Sequence, residues 1–306
     1  MKKQVNDPIK HHYVPVYYQK AFLPTDNAEL PYYKKQFNEL KAKPPTAILY
    51  ELHLHTMRMR GTSTVMLEHF YRDIESQFAL YSELIRKHIA DAGFLHALKQ
   101  DENFLNFMRL IISFQFWRTP CNRELARQCV PQLLQKYDDA PAEVQDLMQY
   151  DRRGVKFIQR TASKSDSLKI AQFLMLPLLT FDFTSNLENL RFFKTTPGLS
   201  VLSSDRPVLF SSHQQLFSFK EFAFPLAKDL FVFATARKAK KVDVGKLNRM
   251  IFDRARNFVI SDSESLLEKL RESPQRGQFS VCSIADCVVE FEDNNSVETE
   301  VVPPPV

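Results

Sequence analysis

The chain has 306 residues, 44% hydrophobic and 25% charged, the composition of an ordinary globular protein with enough apolar surface for one large core. Its 26 Phe and 10 Tyr against six Gly predict an aromatic core, and the glycines stand singly at 61, 93, 154, 198, 245 and 277. That spacing excludes the phosphate loops G-x-x-x-x-G-K-S/T and G-x-G-x-x-G and the G-x-S-x-G elbow, while a net charge of +5 permits an anionic partner without requiring one.

Taken in chain order, residues 11 to 23 read as an extended, aromatic-rich segment turning into a short helix around Gln19 to Phe22. Ala47 to Tyr50 is a candidate strand. From Thr64 to Ala90, Phe70, Ile74, Phe78, Tyr81 and Ile85 recur every three or four residues and predict one long helix. Its other side carries Glu68, Arg72 and Glu75, expected to be a solvated stripe of pairs worth a few tenths of a kcal/mol each.

Glu102 to Trp117 is apolar nearly all round and predicts a central helix. Arg118-Thr119-Pro120 ends it, with Thr119 a candidate cap for the next helix and Pro120 in its first turn. Helices are then expected over 120–136, 141–150 and 165–179. Leu199 to Phe210 and Phe222 to Ala234 each read as strand, turn, strand, and together as one antiparallel sheet. A helix over 244–257, a strand at Phe258 to Ile260 and a helix capped by Ser263 follow. The acidic, proline-ended segment 292–306 reads as a disordered tail. The fold class expected is α+β: one domain over 1–291, with a helical middle (64–190) and a β-rich part (199–262) to which the N-terminal segment returns.

Few residues carry chemistry. His11 and His12 offer neutral imidazoles to a metal, a proton or a phosphate, although neighbours on a strand face opposite ways and only one is expected to reach a given site. Arg118, at the end of a buried helix, must find an anion: Glu68, Glu75, the helix carbonyls or a ligand phosphate. Asp205, before Pro207, can accept its own turn's N–H groups or serve as a ligand. The basic run Arg237 to Lys241, with Lys238, Lys240 and Lys241, is a candidate nucleic-acid loop or simply a solubilising one. His53 and His55 alternate and are open to metal, but the spacing is commoner as exposed polar residues. Cys121, Cys129, Cys282 and Cys287 show no zinc spacing, no signal-peptide pattern opens the chain, and Phe173 to Phe181 is too short to cross a bilayer. A cytoplasmic protein with reduced thiols is expected.

His11-His12-Tyr13-Val14-Pro15 with Tyr18 and Phe22, Arg118-Thr119-Pro120, Ser204-Asp205-Arg206-Pro207, Phe224-Pro225-Leu226, Leu247-Asn248, and Ala255 with Phe258-Val259 occur in an order that resembles the bacterial family labelled domain of unknown function 4238. The likeness runs from Lys10 to Asp262, and H-H-Y-V-P is its most specific element. Arg206 departs from it, standing where that family usually has Asn. The resemblance carries no reaction; its scattered occurrence implies a mobile-element or phage-defence context. The matching polar residues admit two functions. One is a metal-dependent nuclease or phosphoesterase, with His11 or His12 and Asp205 as ligands of a divalent metal, Glu68 as ligand or base and Arg118 as anion clamp. The other is a non-catalytic module binding nucleic acid or protein, in which the polar cluster is structural.

Overall fold

The computed structural model describes residues 9–292 apart from 27, 60–61, 164–165 and 274–282. Lys10–His12 (β1) leads through Pro15, extended at φ −57° and ψ 144°, into a short helix, Val16–Lys20 (α1). Leu30–Lys34 (β2) and Glu39–Lys43 (β3) form a hairpin, Tyr50–Leu52 (β4) returns antiparallel to β1, and Met57–Met59 (β5) pairs with Thr62–Thr64 (β6). The strand expected at Ala47 to Tyr50 thus lies later. A 3-10 turn with Pro45 in its first positions occupies 45–47, where proline's missing N–H forbids ladder bonding.

The helical middle is largely as expected. Met66–His88 (α2) and Glu102–Arg118 (α4) flank Ala92–Gln100 (α3), a helix that periodicity alone did not expose. Its start is nevertheless encoded, since the Asp91 side chain accepts the Phe94 N–H as an N-cap. Beyond α4, the expected helix 120–136 is broken by Pro131 into Arg123–Cys129 (α5) and Leu133–Asp138 (α6). Ala142–Met148 (α7) and Arg152–Thr161 (α8) follow, the latter also unforeseen. Thr119 sits at the cap position, but its hydroxyl donates back to the Phe116 carbonyl at 2.7 Å and caps nothing.

The helix expected over 165–179 is three pieces: Ser167–Ile170 (α9), a π turn over Ala171–Met175, and Leu176–Leu179 (α10). Pro177 accounts for this. It has no N–H for the Phe173 carbonyl four residues back, and its ring crowds that oxygen. The orphaned carbonyl instead accepts the Tyr71 hydroxyl at 2.7 Å, so one proline fastens α2 to the turn below it.

In the C-terminal part, Arg191–Lys194 (β7) precedes Ser203–Ser204 (β8), His213–Phe217 (α11), Phe222–Ala227 (β9) and Leu230–Ala234 (β10). Then come Ala239–Val242 (β11), Val244–Arg254 (α12), Phe258–Ile260 (β12), Glu264–Glu272 (α13) and Val288–Phe291 (β13). Ser263 caps α13 as expected, accepting the Leu266 N–H. The β9–β10 hairpin forms with β7 on its other side, in the order β7-β10-β9. The hairpin expected at Leu199 to Phe210 does not. β8 is the edge of a different sheet, β3-β2-β12-β8, and Leu209 makes only an isolated bridge to Ala223. The carboxylate of Asp205 forces this divergence: it accepts the N–H groups of Arg256, Asn257 and Phe258 at 2.9, 2.7 and 3.1 Å rather than those of its own turn.

The core is aromatic, as the composition requires. Tyr18 stacks on Phe224 at 5.5 Å, and Phe78 lies beside Tyr18, Phe107 and Phe224. The Tyr18 hydroxyl donates to the Pro225 carbonyl at 2.7 Å and takes the Ser203 hydroxyl at 2.8 Å, which ties the N-terminal segment to both large sheets. Tyr18→Phe strands both partners in a dry interior and is expected to lower stability by about 1–3 kcal/mol, read from urea unfolding. Among the described residues Cys121, Cys129 and Cys287 are free thiols, and Cys282 lies outside them. No described helix is long and apolar enough to cross a membrane. Glu292, expected in the tail, instead forks onto Arg191 with two bonds of 2.9 Å; 293–306 lie outside the described residues.

Candidate metal centre

The strand β1 turns His11 inward and leaves His12 half-buried, the alternation expected of neighbours on a strand. β4 then ends in a turn that controls the site. His53 adopts a left-handed φ of +57°, its carbonyl and that of Thr56 accept the Lys169 ammonium at 3.1 and 2.6 Å, and His55 is thereby swung under α2. The His55 amide donates to His11 Nδ1 at 2.7 Å, and the two imidazoles stack with centroids 5.3 Å apart.

On α2, Glu68 and Glu75 lie two turns apart on one face. They do not form a solvated stripe through Arg72, whose guanidinium turns to His69. Glu68 accepts His55 Nδ1–H at 2.7 Å, and Glu75 pairs with Arg118 from the end of α4. Arg118 is 3% exposed and lies 4.3 Å above the Tyr71 ring, whose hydroxyl is held by the π turn. Its candidate partners therefore resolve to Glu75 for the direct pair, with Glu68 acting through its field.

The protonation states follow from this packing. Burial pushes His55 down to about 4, so its ring is neutral, with the one proton on Nδ1 facing Glu68. Burial alone would raise the Glu68 carboxyl, but the His55 hydrogen bond and the Arg118 charge outweigh it and hold it below its usual value. Burial also lowers His12. For Arg118 burial works against the cation, yet the fields of Glu75, Tyr71 and Glu68 keep it charged.

Three buried nitrogens here have no hydrogen-bond partner among the described residues: His55 Nε2, His12 Nε2 and Arg118 Nε. An unpaired buried lone pair is costly, and a carboxylate–imidazole pair with a free Nε2 is the arrangement that orients a metal-binding histidine. His11, His55 and Glu68 can each bring one ligand atom within 4.8 Å of the others, a group that could hold a metal ion. Two imidazoles and a carboxylate suit Zn²⁺ and other divalent first-row ions and leave a coordination position open.

Of the residues named from sequence, His11, Glu68 and Arg118 come together. His12 feels the charges of Glu68 and Arg118 but stands outside the group, its ring edge-on to Tyr50. Asp205 is also outside it: burial raises its carboxyl against the pull of three N–H bonds, and those bonds occupy both oxygens. It fastens the chain after α12 to β8. Lys238, Lys240 and Lys241 are not on a free loop. They lie on or beside β11, paired with β13, where Lys240 meets Glu290 at 2.8 Å. The residue that sequence reasoning passed over is His55, at zero exposure the best-buried imidazole beside His11. Its only signal was the alternation with His53.

A family model described as "Protein of unknown function (DUF4238)" matches residues 10–265. Comparison with curated proteins and with solved structures gave no match.

Proposed function

Given that the chain belongs to the DUF4238 family, which is defined without a known activity, we propose from the site itself that it is a divalent-metal-dependent hydrolase of phosphate esters, a nuclease or phosphoesterase. The observation that carries this reading is the neutral, buried His55 ring, clamped through Nδ1–H by Glu68 with its Nε2 lone pair unpartnered. The ion would sit against His55 Nε2, while Glu68 holds the ring in place from its Nδ1 side. A bound divalent cation supplies a Lewis acid for a phosphoryl oxygen and lowers the pKa of an attacking water. Arg118 contributes a permanent positive charge for the phosphate. Glu68, a quarter exposed, marks the side on which the cluster meets solvent.

His11 enters on different terms. Because its Nδ1 accepts the His55 amide, its neutral ring carries the proton on Nε2, and it ligates only by exchanging that amide for the ion. Its removal is therefore expected to weaken metal binding less than removal of His55.

Calorimetric titration with Zn²⁺ and Mn²⁺, on variants shown to be folded by circular dichroism, tests this. One ion per chain is expected, with affinity falling about 10- to 100-fold in His55→Ala and Glu68→Gln and less in His11→Ala. Hydrolysis of bis(p-nitrophenyl) phosphate should require the same ion. A folded wild type that binds neither ion contradicts the reading.

One feature favours the second function. Asp205, Glu75, Arg118 and His11 each have an internal partner, as members of a structural network would. Under that reading the chain is a binding module, His55→Ala changes stability alone, and no metal is taken up.

A further inference from the structure

On the other side of the α4 terminus, a cleft of about 380 Å³ opens between that helix end and the segment that follows β8. It is distinct from the metal centre, because Arg118 turns toward α2 while Phe116 and Asn122 face this cleft. The cleft joins two of the sequence motifs, Arg118-Thr119-Pro120 and Ser204-Asp205-Arg206-Pro207, which the metal site leaves largely unexplained.

One wall is aromatic. Phe116 meets Phe210 edge-on at 5.6 Å, and His213 lies 5.0 Å from Phe210 and 5.9 Å from Phe116. The cleft is also lined by Arg206, an exposed guanidinium whose Nε donates to Cys121 Sγ at 3.1 Å. That bond fixes the plane of the group, and its two terminal nitrogens have no hydrogen-bond or ion-pair partner among the described residues. A guanidinium held at one edge presents a parallel pair of donors matched to an oxyanion. Asn122 commits its amide N–H to the Phe116 carbonyl and the Thr119 hydroxyl, and its oxygen takes only the weak Cys121 thiol donor at 3.7 Å, which leaves it acceptor capacity. The volume lies in the range of small-molecule sites, and aromatic rings and one cation lining the same cleft suit a planar ring that carries a negative group.

We propose that this cleft binds a nucleoside monophosphate, with the base on the Phe116–Phe210–His213 wall and the phosphate on Arg206. Asn122 Oδ1 and the His213 imidazole are placed to read the edge of the base or the ribose hydroxyls.

The test is calorimetry on the full chain in EDTA, which silences the metal centre, with AMP, GMP, CMP and UMP, and with adenosine and inorganic phosphate as partial ligands. At least one nucleotide should bind saturably, about tenfold or more tighter than adenosine or phosphate alone. Arg206→Gln should weaken it about tenfold and His213→Ala severalfold, both at exposed positions where the fold survives, while His55→Ala should leave it unchanged. The proposal is overturned by the absence of saturable heat with all four nucleotides, by an Arg206→Gln variant that binds as tightly as wild type, or by phosphate alone binding as well as any nucleotide.

Discussion

Arg118→Met is expected to lower the unfolding free energy by about 3 kcal/mol, the lower end of what breaking a buried ion pair costs. The guanidinium is almost wholly buried between Glu75 and the Tyr71 ring, and its loss leaves the Glu75 carboxylate with no cation. Glu75 retains some contact with solvent, its side chain 23% exposed, which keeps the penalty from the upper end of that range. Methionine fills much of the same volume, so the loss reports charge rather than a cavity. The double variant Arg118→Met with Glu75→Leu should recover most of it, because an ion pair replaced as a unit by apolar groups is close to neutral. Urea unfolding of the single and double variants measures both values. A double variant as unstable as the single one would mean that Arg118 holds more than Glu75.

The metal-free protein should lose about 3 kcal/mol of stability as pH falls from 6.5 to 4, the interval between the ordinary histidine value and that of buried His55 at 1.36 kcal/mol per unit. In that window the unfolded chain binds a proton at this residue and the folded chain does not. Acid therefore favours unfolding, stability is complete above the upper limit, and this contribution is exhausted below the lower one. Glu68 adds to the loss further down, because its folded value is depressed and its charged form is the one that holds His55. His55→Gln keeps a donor for Glu68 without a titrating ring and should flatten the slope between pH 6.5 and 4. Urea midpoints at half-unit pH steps, in EDTA, give the result. An unchanged slope in His55→Gln would assign the dependence to another group.

The parts of the fold legible from sequence are those that local physics fixes. Phe70, Ile74, Phe78, Tyr81 and Ile85 name the core-facing side of α2, with Phe78 and Ile85 fully buried and the others partly, and α4 announces itself by being apolar all round. Ser263 stops and starts the chain where its hydroxyl can cap. What escaped were pairings made at long range. Nothing within Leu199 to Phe210 says that Ser203 and Ser204 will add to β12, because the group that decides it, Asp205, bonds amides some fifty residues later. The break in the 165–179 helix was written in Pro177, but its use, freeing a carbonyl for Tyr71, needs both elements in place.

The site shows the same division. His11 and Arg118 stand out as polar groups in aromatic or apolar settings, Glu68 enters only through the family-matching positions, and the fold brings the three together. His55 was hidden because its burial depends on the left-handed backbone of His53 and on Lys169 gripping the turn. Without that kink, an alternating His-x-His segment reads as an exposed strand. Glu68 and Glu75 misled for the opposite reason: their spacing satisfies the helix pairing rule with Arg72, while buried partners from other elements outcompete that exposed contact.

The most direct test of the metal centre is an anomalous difference map from crystals of the full chain grown with Zn²⁺ or Mn²⁺, recorded on both sides of the metal's absorption edge. One peak is expected about 2 Å from His55 Nε2, an ordinary ligand distance, with Glu68 still on the ring's Nδ1. A map with no peak in that cluster, or a metal bound at Asp205 instead, contradicts it.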